Sequence, residues 1–589
     1  MIDPSASELL QRVRAAERRG DFLGAFDLAR GGLDRYPGDR PLVHRAALAL
    51  ARSGATAGAR KLLATVGPDL DDELSALDAR LCKDEALACS GDARVRRARD
   101  AAARYAALHA RNGAAYPLVN AATLHLIAGD VERASELAER ALALALGAAT
   151  SGDPLDAYWH AATAAEAALV LGRVDVAAAK LTEARRANAH DHAALATTRK
   201  QLALVCELRG IGPEIVDALR PPAVAHFTGH MIGDRFAAES EPRVAARIAD
   251  ALARRDVGYG FGALASGADI IVAEALRARG AELHVVLPFE SEQFVRTSVA
   301  PAGEAWVSRF HACLAAATSV TCGTLDASSA NADVLFSYGG QLAMGLALLR
   351  ARFLATHAIQ IAVWDGEPAR GHAGTAIDVA TWRRRGLEVE VVAVEPPAVR
   401  ATPRAVEAAA PSTMSVKAIL FGDVKGYSKL RERDIPMFVE HVLGRFGGVL
   451  DACEVEVRNT WGDGLYLVLP DALAAARCAS KLQAVMRTLD ASTVGGEMGL
   501  RLAGHVGPVF ECFDAVIGQR SYFGSHVTRT ARIEPVTPEG EVFVTEPFAA
   551  ALALTSDEFV CEYVGDVPAA KGFGNLRMCV LKARVKDLS

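Results

Sequence analysis

Asp423 and Asp463 stand 40 residues apart, in Phe421-Gly422-Asp423-Val424 and Asn459-Thr460-Trp461-Gly462-Asp463-Gly464. Each lies at a turn beside an apolar run that reads as a strand. Carboxylates delivered in that way can hold a pair of divalent cations, which is what nucleotidyl transfer needs. A third segment, Phe523 to Arg532, carries Thr528 and Arg532 at i,i+4 spacing, on one face of a helix. Arg532 there can meet a phosphate with a planar, multi-donor cation. A lone aspartate at a strand–turn boundary is usually only a turn former. The weight rests on two such acids, the Thr/Arg pair and a late Lys571-Gly572-Phe573-Gly574 in one order.

Positioning these groups requires a sheet edge and a helix. The pattern predicts strand Val416 to Phe421 ending in the Asp423 turn, a helix over 435–451, and a hairpin from Glu454–Thr460 and Leu465–Leu469. A helix over 472–489, strand Leu500–His505, a helix over 523–533 and strand Glu541–Thr545 follow. The order βαββαβ is that of a ferredoxin-like palm, with both aspartates at adjacent strand ends. His505, on a strand, reads as a satisfied core histidine. Gly495-Gly496-Glu497 superficially resembles a diguanylate cyclase motif but reads as a turn.

On those residues, 415–585 resembles the catalytic domain of class III adenylate/guanylate cyclases over nearly its whole length. The resemblance implies a lyase that converts a nucleoside triphosphate to a 3′,5′-cyclic nucleotide and pyrophosphate in signal transduction. It implies two Mg²⁺ or Mn²⁺ ions per active site, held by Asp423, Asp463 and the carbonyl of Val424. Arg532 would stabilise the charge on the five-coordinate phosphorus, and Lys571 would grip the triphosphate. Thr528 stands where the family has an asparagine, which weakens ribose orientation. The base-reading places hold Asn459 and Ser521, where adenylate cyclases have lysine and aspartate and guanylate cyclases glutamate and a smaller residue. An amide and a hydroxyl commit to neither purine, so ATP is favoured on abundance, with GTP or a pyrimidine triphosphate open. Sites of this family form between two catalytic domains, and a single domain carrying both residue sets implies a homodimer. The alternative is a catalytically degenerate, nucleotide-binding scaffold that recruits a protein partner through its helical region.

Residues 1–215 read as helix upon helix. A turn glycine is followed five residues later by alanine four times: Gly20/Ala25, Gly54/Ala59, Gly129/Ala134 and Gly172/Ala177. The first two glycines are 34 residues apart, the period of tetratricopeptide units, which the segment resembles; the 43-residue step from Gly129 to Gly172 is irregular. Glycine permits the turn, and alanine lets the second helix approach closely. This region reads as a surface for a protein partner.

From 220 to 395, strands (Ala223–Phe227, Glu282–Leu287, Ser319–Thr321, Ile359–Trp364, Val389–Val394) alternate with helices, which predicts a Rossmann-like parallel sheet. Ligands sit at the C-terminal ends of strands in such sheets. Thr228, Gly229 and His230 fall there, while Ser266, Gly267 and Asp269, with Gly374 and Thr375, lead into helices whose N-termini attract phosphate. Gly262 to Asp269 resembles the SLOG superfamily, which implies a nucleotide-derived ligand. A Pro-rich linker over 396–414 follows.

The fold class is therefore multidomain α and α/β: helical repeat array, Rossmann-like sheet, ferredoxin-like α+β palm. With 589 residues, 51% hydrophobic and a net charge of −6, the chain gives no reason to expect nucleic acid or an anionic membrane as partner. Ten cysteines in no metal-ligand spacing read as reduced thiols in the cytoplasm. No apolar run is expected to reach the roughly 18 residues of a membrane span.

Overall fold

Four glycines set the first architecture. Gly20, Gly54, Gly129 and Gly172 all take positive φ, between 74° and 93°, and each turns one helix back on the next. Ala25, Ala59, Ala134 and Ala177 are fully buried where the second helix meets its neighbours. The computed structural model describes residues 4–148, 153–188, 190–324, 332–396 and 413–584. Helices pair as α1 (Ala6–Arg18) with α2 (Phe22–Arg35), α3 (Arg40–Ser53) with α4 (Thr56–Leu63), and α5 (Asp72–Leu87) with α6 (Gly91–Asn112). The series continues through α7 (Ala115–Ile127), α8 (Val131–Gly147), α9 (Pro154–Val170), α10 (Val174–Ala187) and α11 (His192–Arg209). Asp21 and Asp130 cap α2 and α8, their carboxylates accepting backbone N–H groups of the first turn.

The second architecture is a parallel sheet in the order β4-β3-β2-β1-β5-β6. Its strands are β1 (Ala223–Gly229), β2 (Val257–Gly262), β3 (Glu282–Leu287), β4 (Ser319–Cys322), β5 (Ala358–Trp364) and β6 (Glu388–Ala393). Between them run α12 (Glu241–Arg254), α13 (Ala268–Ala278), α14 (Ser291–Ser298), α15 (Glu304–Ala315), α16 (Ala332–Leu354) and α17 (Thr375–Arg384). Strand order reverses between β1 and β5. Most of the linker expected over 396–414 lies outside the described residues.

The third is a mixed sheet, β13-β14-β12-β10-β7-β9-β8, with β11 paired to β10. Its strands are β7 (Met414–Lys425), β8 (Val457–Trp461), β9 (Gly464–Leu469), β10 (Gly499–Asp514), β11 (Gln519–Phe523), β12 (Val542–Thr545), β13 (Phe559–Pro568) and β14 (Asn575–Ala583). The helices are α18 (Ile435–Phe438), running through a π-turn stretch into α19 (Gly444–Asp451), then α20 (Ala472–Arg487), α21 (Ala491–Val494), α22 (Ser525–Ile533) and α23 (Glu546–Thr555). The core order β10-β7-β9-β8 is the ferredoxin-like order that the βαββαβ pattern predicts. Two expectations shift. β7 continues through Asp423 to Lys425 because it pairs on both sides, and β10 runs to Asp514 because β11 pairs with its far half.

Helix α16 corrects a third expectation, for by length and composition it is apolar enough to cross a membrane. Half of that apolar stretch is buried inside the protein, and the helix packs against all three architectures. Gly345 lies so close to α23 that a Cβ there would stand 2.2 Å from the Ala550 carbonyl oxygen. At the C-terminal end, Arg350 donates to the carbonyls of Gly20 at 2.8 Å and Arg19 at 3.0 Å, in the α1–α2 turn.

Candidate active site

The β8–β9 hairpin closes on Gly462 and Asp463, with Gly462 at φ 73°, a conformation glycine adopts without strain. Asp423 lies opposite Gly464 on β9 and Arg501 on β10. The Val424 N–H donates to the Asp463 carbonyl at 3.2 Å, so the end of β7 is tied to the turn. Both acids thereby reach one place. Burial, and then the charge of Asp423, push the Asp463 carboxyl above its ordinary range, with Arg501 opposing.

Two residues that the sequence reading did not single out complete this cluster. Arg501 donates to Asp423 Oδ2 through Nη2 at 2.8 Å and Nε at 3.1 Å, and its Nε lies 2.5 Å from Glu534 Oε1. Burial raises the Glu534 carboxyl, Arg501 lowers it, and Asp423 and Asp463 raise it further. The only sequence signal was the register of β10 against β7, which is a tertiary property.

Thr528 and Arg532 project from α22, Thr528 exposed and Arg532 half-buried. Glu534, two residues beyond Arg532, faces the acids. Glu534 opens the short 3₁₀ turn that follows α22, and among the described residues Arg532 forms no ion pair with Asp423 or Asp463. Lys571, exposed and at φ 58°, sits in the turn between β13 and β14, against which α22 packs. Asn459 on β8 lies opposite Tyr466 on β9, and Ser521 is buried on β11. Burial raises the Tyr466 phenol to about 12, with the Ser521 hydroxyl opposing. That phenol donates to the Tyr522 carbonyl at 2.8 Å, which leaves its oxygen as an acceptor toward Ser521. His505 is the core histidine expected: fully buried, with Thr545 Oγ1 and His526 Nδ1 each at 2.7 Å.

A cavity of about 510 Å³ occupies the point where strand order reverses between β1 and β5. Thr228, Gly229, His230, Asp269, Gly374 and Thr375 line it, together with Asp378. Ser266 and Gly267 do not. Ser266 is fully buried behind the wall, and Gly267, at φ 96°, lets the backbone of Ile232 approach closely. The sequence placed them before a helix without showing which way the loop turns. His230 Nε2 lies 3.0 Å from Asp365 Oδ1, and Arg235 Nε donates to Asp365 Oδ2 at 2.7 Å. Burial is the chief cause lowering His230, with Asp365 opposing. Burial raises both Asp269 and Asp378 to about 7. Thr228 donates to Asp378 Oδ2 at 2.8 Å, while Asp269 Oδ1 is buried with no hydrogen-bond partner.

Among the described residues, no group of three or more His, Cys, Asp or Glu side chains is arranged to hold a metal ion. Residues 410–583 match the family model of the adenylate and guanylate cyclase catalytic domain, and residues 21–125 match that of Tetratricopeptide Repeats-Sensor. The SLOG resemblance of the middle region has no counterpart among these matches. No curated protein matches the chain. The guanylate cyclase domain of RhGC from Catenaria anguillulae, solved with GTP, is 18% identical over 29% of this chain and 97% of its own, with a TM-score of 0.26. The adenylyl cyclase CyaB from P. aeruginosa is 14% identical over 30% of this chain and 99% of its own, with a TM-score of 0.27.

Proposed function

We propose, from the premise that residues 410–583 are an adenylate and guanylate cyclase catalytic domain, that this chain is a regulated cyclase forming a 3′,5′-cyclic nucleotide and pyrophosphate. The observation that carries the reading is the convergence of Asp423 and Asp463, whose mutual repulsion a cation would relieve. The donor set fits Mg²⁺ or Mn²⁺, two per site: hard carboxylate oxygens, with the Val424 carbonyl assisting. Such ions, when bound, lower the pKa of the ribose 3′-hydroxyl and neutralise charge on the triphosphate. In the reaction the O3′–Pα bond forms, the bond from Pα to the bridging oxygen breaks, and the 3′-proton leaves. Arg532 stabilises the charge on the five-coordinate phosphorus, Lys571 holds the triphosphate, and Thr528 orients the ribose.

Among the described residues Arg532 forms no ion pair with the acids of its own chain, which supports a homodimer in which each protomer supplies the guanidinium for its partner. Exposed apolar side chains of the same domain, Trp461, Phe513, Val516 and Phe523, support the same arrangement. ATP is the favoured substrate. With the Ser521 hydrogen drawn toward Tyr466, the serine lone pairs are left to accept from an exocyclic amine, and Asn459 donates to a ring nitrogen. GTP or a pyrimidine triphosphate is the competing choice.

The middle cavity is the regulatory site of this reading, taking a nucleotide-derived ligand. Asp333, Phe336 and Gly340 of α16 line that cavity. From the same helix, Tyr338 donates to the Val506 carbonyl at 3.1 Å and meets the His526 ring of α22 edge-on. A shift of α16 therefore reaches the helix that carries Thr528 and Arg532. The helical array is left for a protein partner. Ten free cysteines support a cytoplasmic location.

The ion pair of Arg501 with Asp423 favours one second reading, a degenerate scaffold that binds nucleotide without turning it over. The test is purified chain with Mn²⁺ or Mg²⁺ and all four ribonucleoside triphosphates, the products being read by mass spectrometry. Cyclic product that falls at least about a hundredfold in Asp463→Ala is expected. Equal traces from both proteins would remove the enzyme and leave the scaffold.

A further inference from the structure

A second cavity, of about 660 Å³, lies where the helical array, the C-terminal end of α16 and the β13–β14 edge meet. Arg80 and Lys83 of α5, Arg94 of α6 and Lys200 of α11 line it. Lys83 is buried, and its ammonium donates only to neutral oxygens, Asn120 Oδ1 at 3.0 Å and Gln201 Oε1 at 2.9 Å. Lys200, at the rim, donates to the Phe353 carbonyl at 3.1 Å. Desolvation by the surrounding wall and the like charges of Arg80 and Arg52 pull it down to about 8.

Three acids, Asp84, Glu166 and Glu207, share the wall with seven lysines and arginines. Asp84 lies 3.7 Å from Arg80, one turn away on the same helix, and Glu166 Oε1 accepts from Thr123 and Gln201. Among the described residues, no ion pair holds Lys83, Arg94 or Lys200. Burial lowers the Lys83 ammonium, Asp84 and Glu166 offset that only in part, and an entering anion removes the remaining cost. The half-buried Trp159 adds a flat apolar surface to the same wall.

We propose that this cavity is a binding site for a multiply charged organic phosphate bearing a planar ring, a nucleotide-class effector. Its phosphates lie among Arg80, Lys83, Arg94 and Lys200, and its ring rests on Trp159. The site is separate from both the catalytic cluster and the β1–β5 cavity, and it does not depend on the cyclase reading.

The experiment uses the full chain carrying Asp463→Ala in chelator, so that metal-dependent nucleotide binding at the cyclase site is suppressed. Inorganic tripolyphosphate, ATP and adenosine are titrated by calorimetry against this parent and against the same chain with Lys200→Glu and Arg94→Glu. Neither substituted position lies in the buried core, so the variant retains its fold, checked by its unchanged melting temperature. The expected result is tripolyphosphate affinity lowered roughly tenfold or more by the charge reversals, with a shallower salt dependence. ATP binds the parent more tightly than tripolyphosphate, and Trp159→Leu removes that difference alone. Tripolyphosphate that fails to bind the parent, or binds the reversed variant equally well, overturns the proposal. So does adenosine binding as tightly as ATP.

Discussion

In the proposed function Asn459 and Ser521 read the base through what each can donate or accept. In that reading the Tyr466 hydrogen is spent on the Tyr522 carbonyl, so Ser521 directs its own hydrogen to the phenol oxygen and offers lone pairs to the base. Replacing Asn459→Lys with Ser521→Asp strengthens a donor and an acceptor at the same two places. The product ratio should move roughly tenfold toward the cyclic adenine nucleotide; an unchanged ratio under competition counts against these residues as base readers. Asp269 offers a pH test at the same scale. Unfolded, it ionises near pH 4; folded, it keeps its proton to about 7, as does Asp378. The folded state binds more protons across that interval, so this contribution to stability is full below about pH 4 and is lost as pH rises to about 7. Asp269→Asn should flatten that stretch of the melting-temperature profile. A wild-type profile already flat there would contradict the buried-acid description.

At the scale of elements, α16 does most of the connecting. One side lines the middle cavity, another packs on α23 and β10, and its end holds the α1–α2 turn. A helix that must fit three surfaces reads in sequence as an apolar run, which is why its composition passes for a membrane span. Tyr338→Phe removes one buried hydrogen bond to Val506, at a cost of about 1 kcal/mol. Denaturation should show that small loss, while any dependence of cyclase rate on a ligand of the middle cavity should weaken. Full retention of the ligand response would place the coupling elsewhere than this contact.

At the scale of the whole molecule, the proposed function takes the acids and the guanidinium of one reaction from different copies. Asp463→Ala and Arg532→Ala are each expected to be inactive alone. When they are mixed and allowed to exchange, a heterodimer has one site with both lesions and one with neither. Random pairing should restore about a quarter of wild-type activity. Lack of recovery after verified exchange would mean that each copy builds its site alone.

Local sequence was enough for what depends on local physics. The glycine–alanine spacing predicted helical turns and the residues packed beneath them, since a turn and a close helix approach are set within a few residues. The βαββαβ order likewise gave the palm and brought Asp423 and Asp463 to one end of it. Six of the eight middle-region residues line one cavity because strand ends and helix starts converge where strand order reverses. Arg501 and Glu534 were out of reach, since only the pairing of β10 with β7 and the close of α22 place them beside the acids. The sidelining of Ser266 and Gly267 and the cation-lined cavity under α16 also belong to tertiary structure. Each is set by contacts between residues far apart in the chain, and no local spacing encodes them.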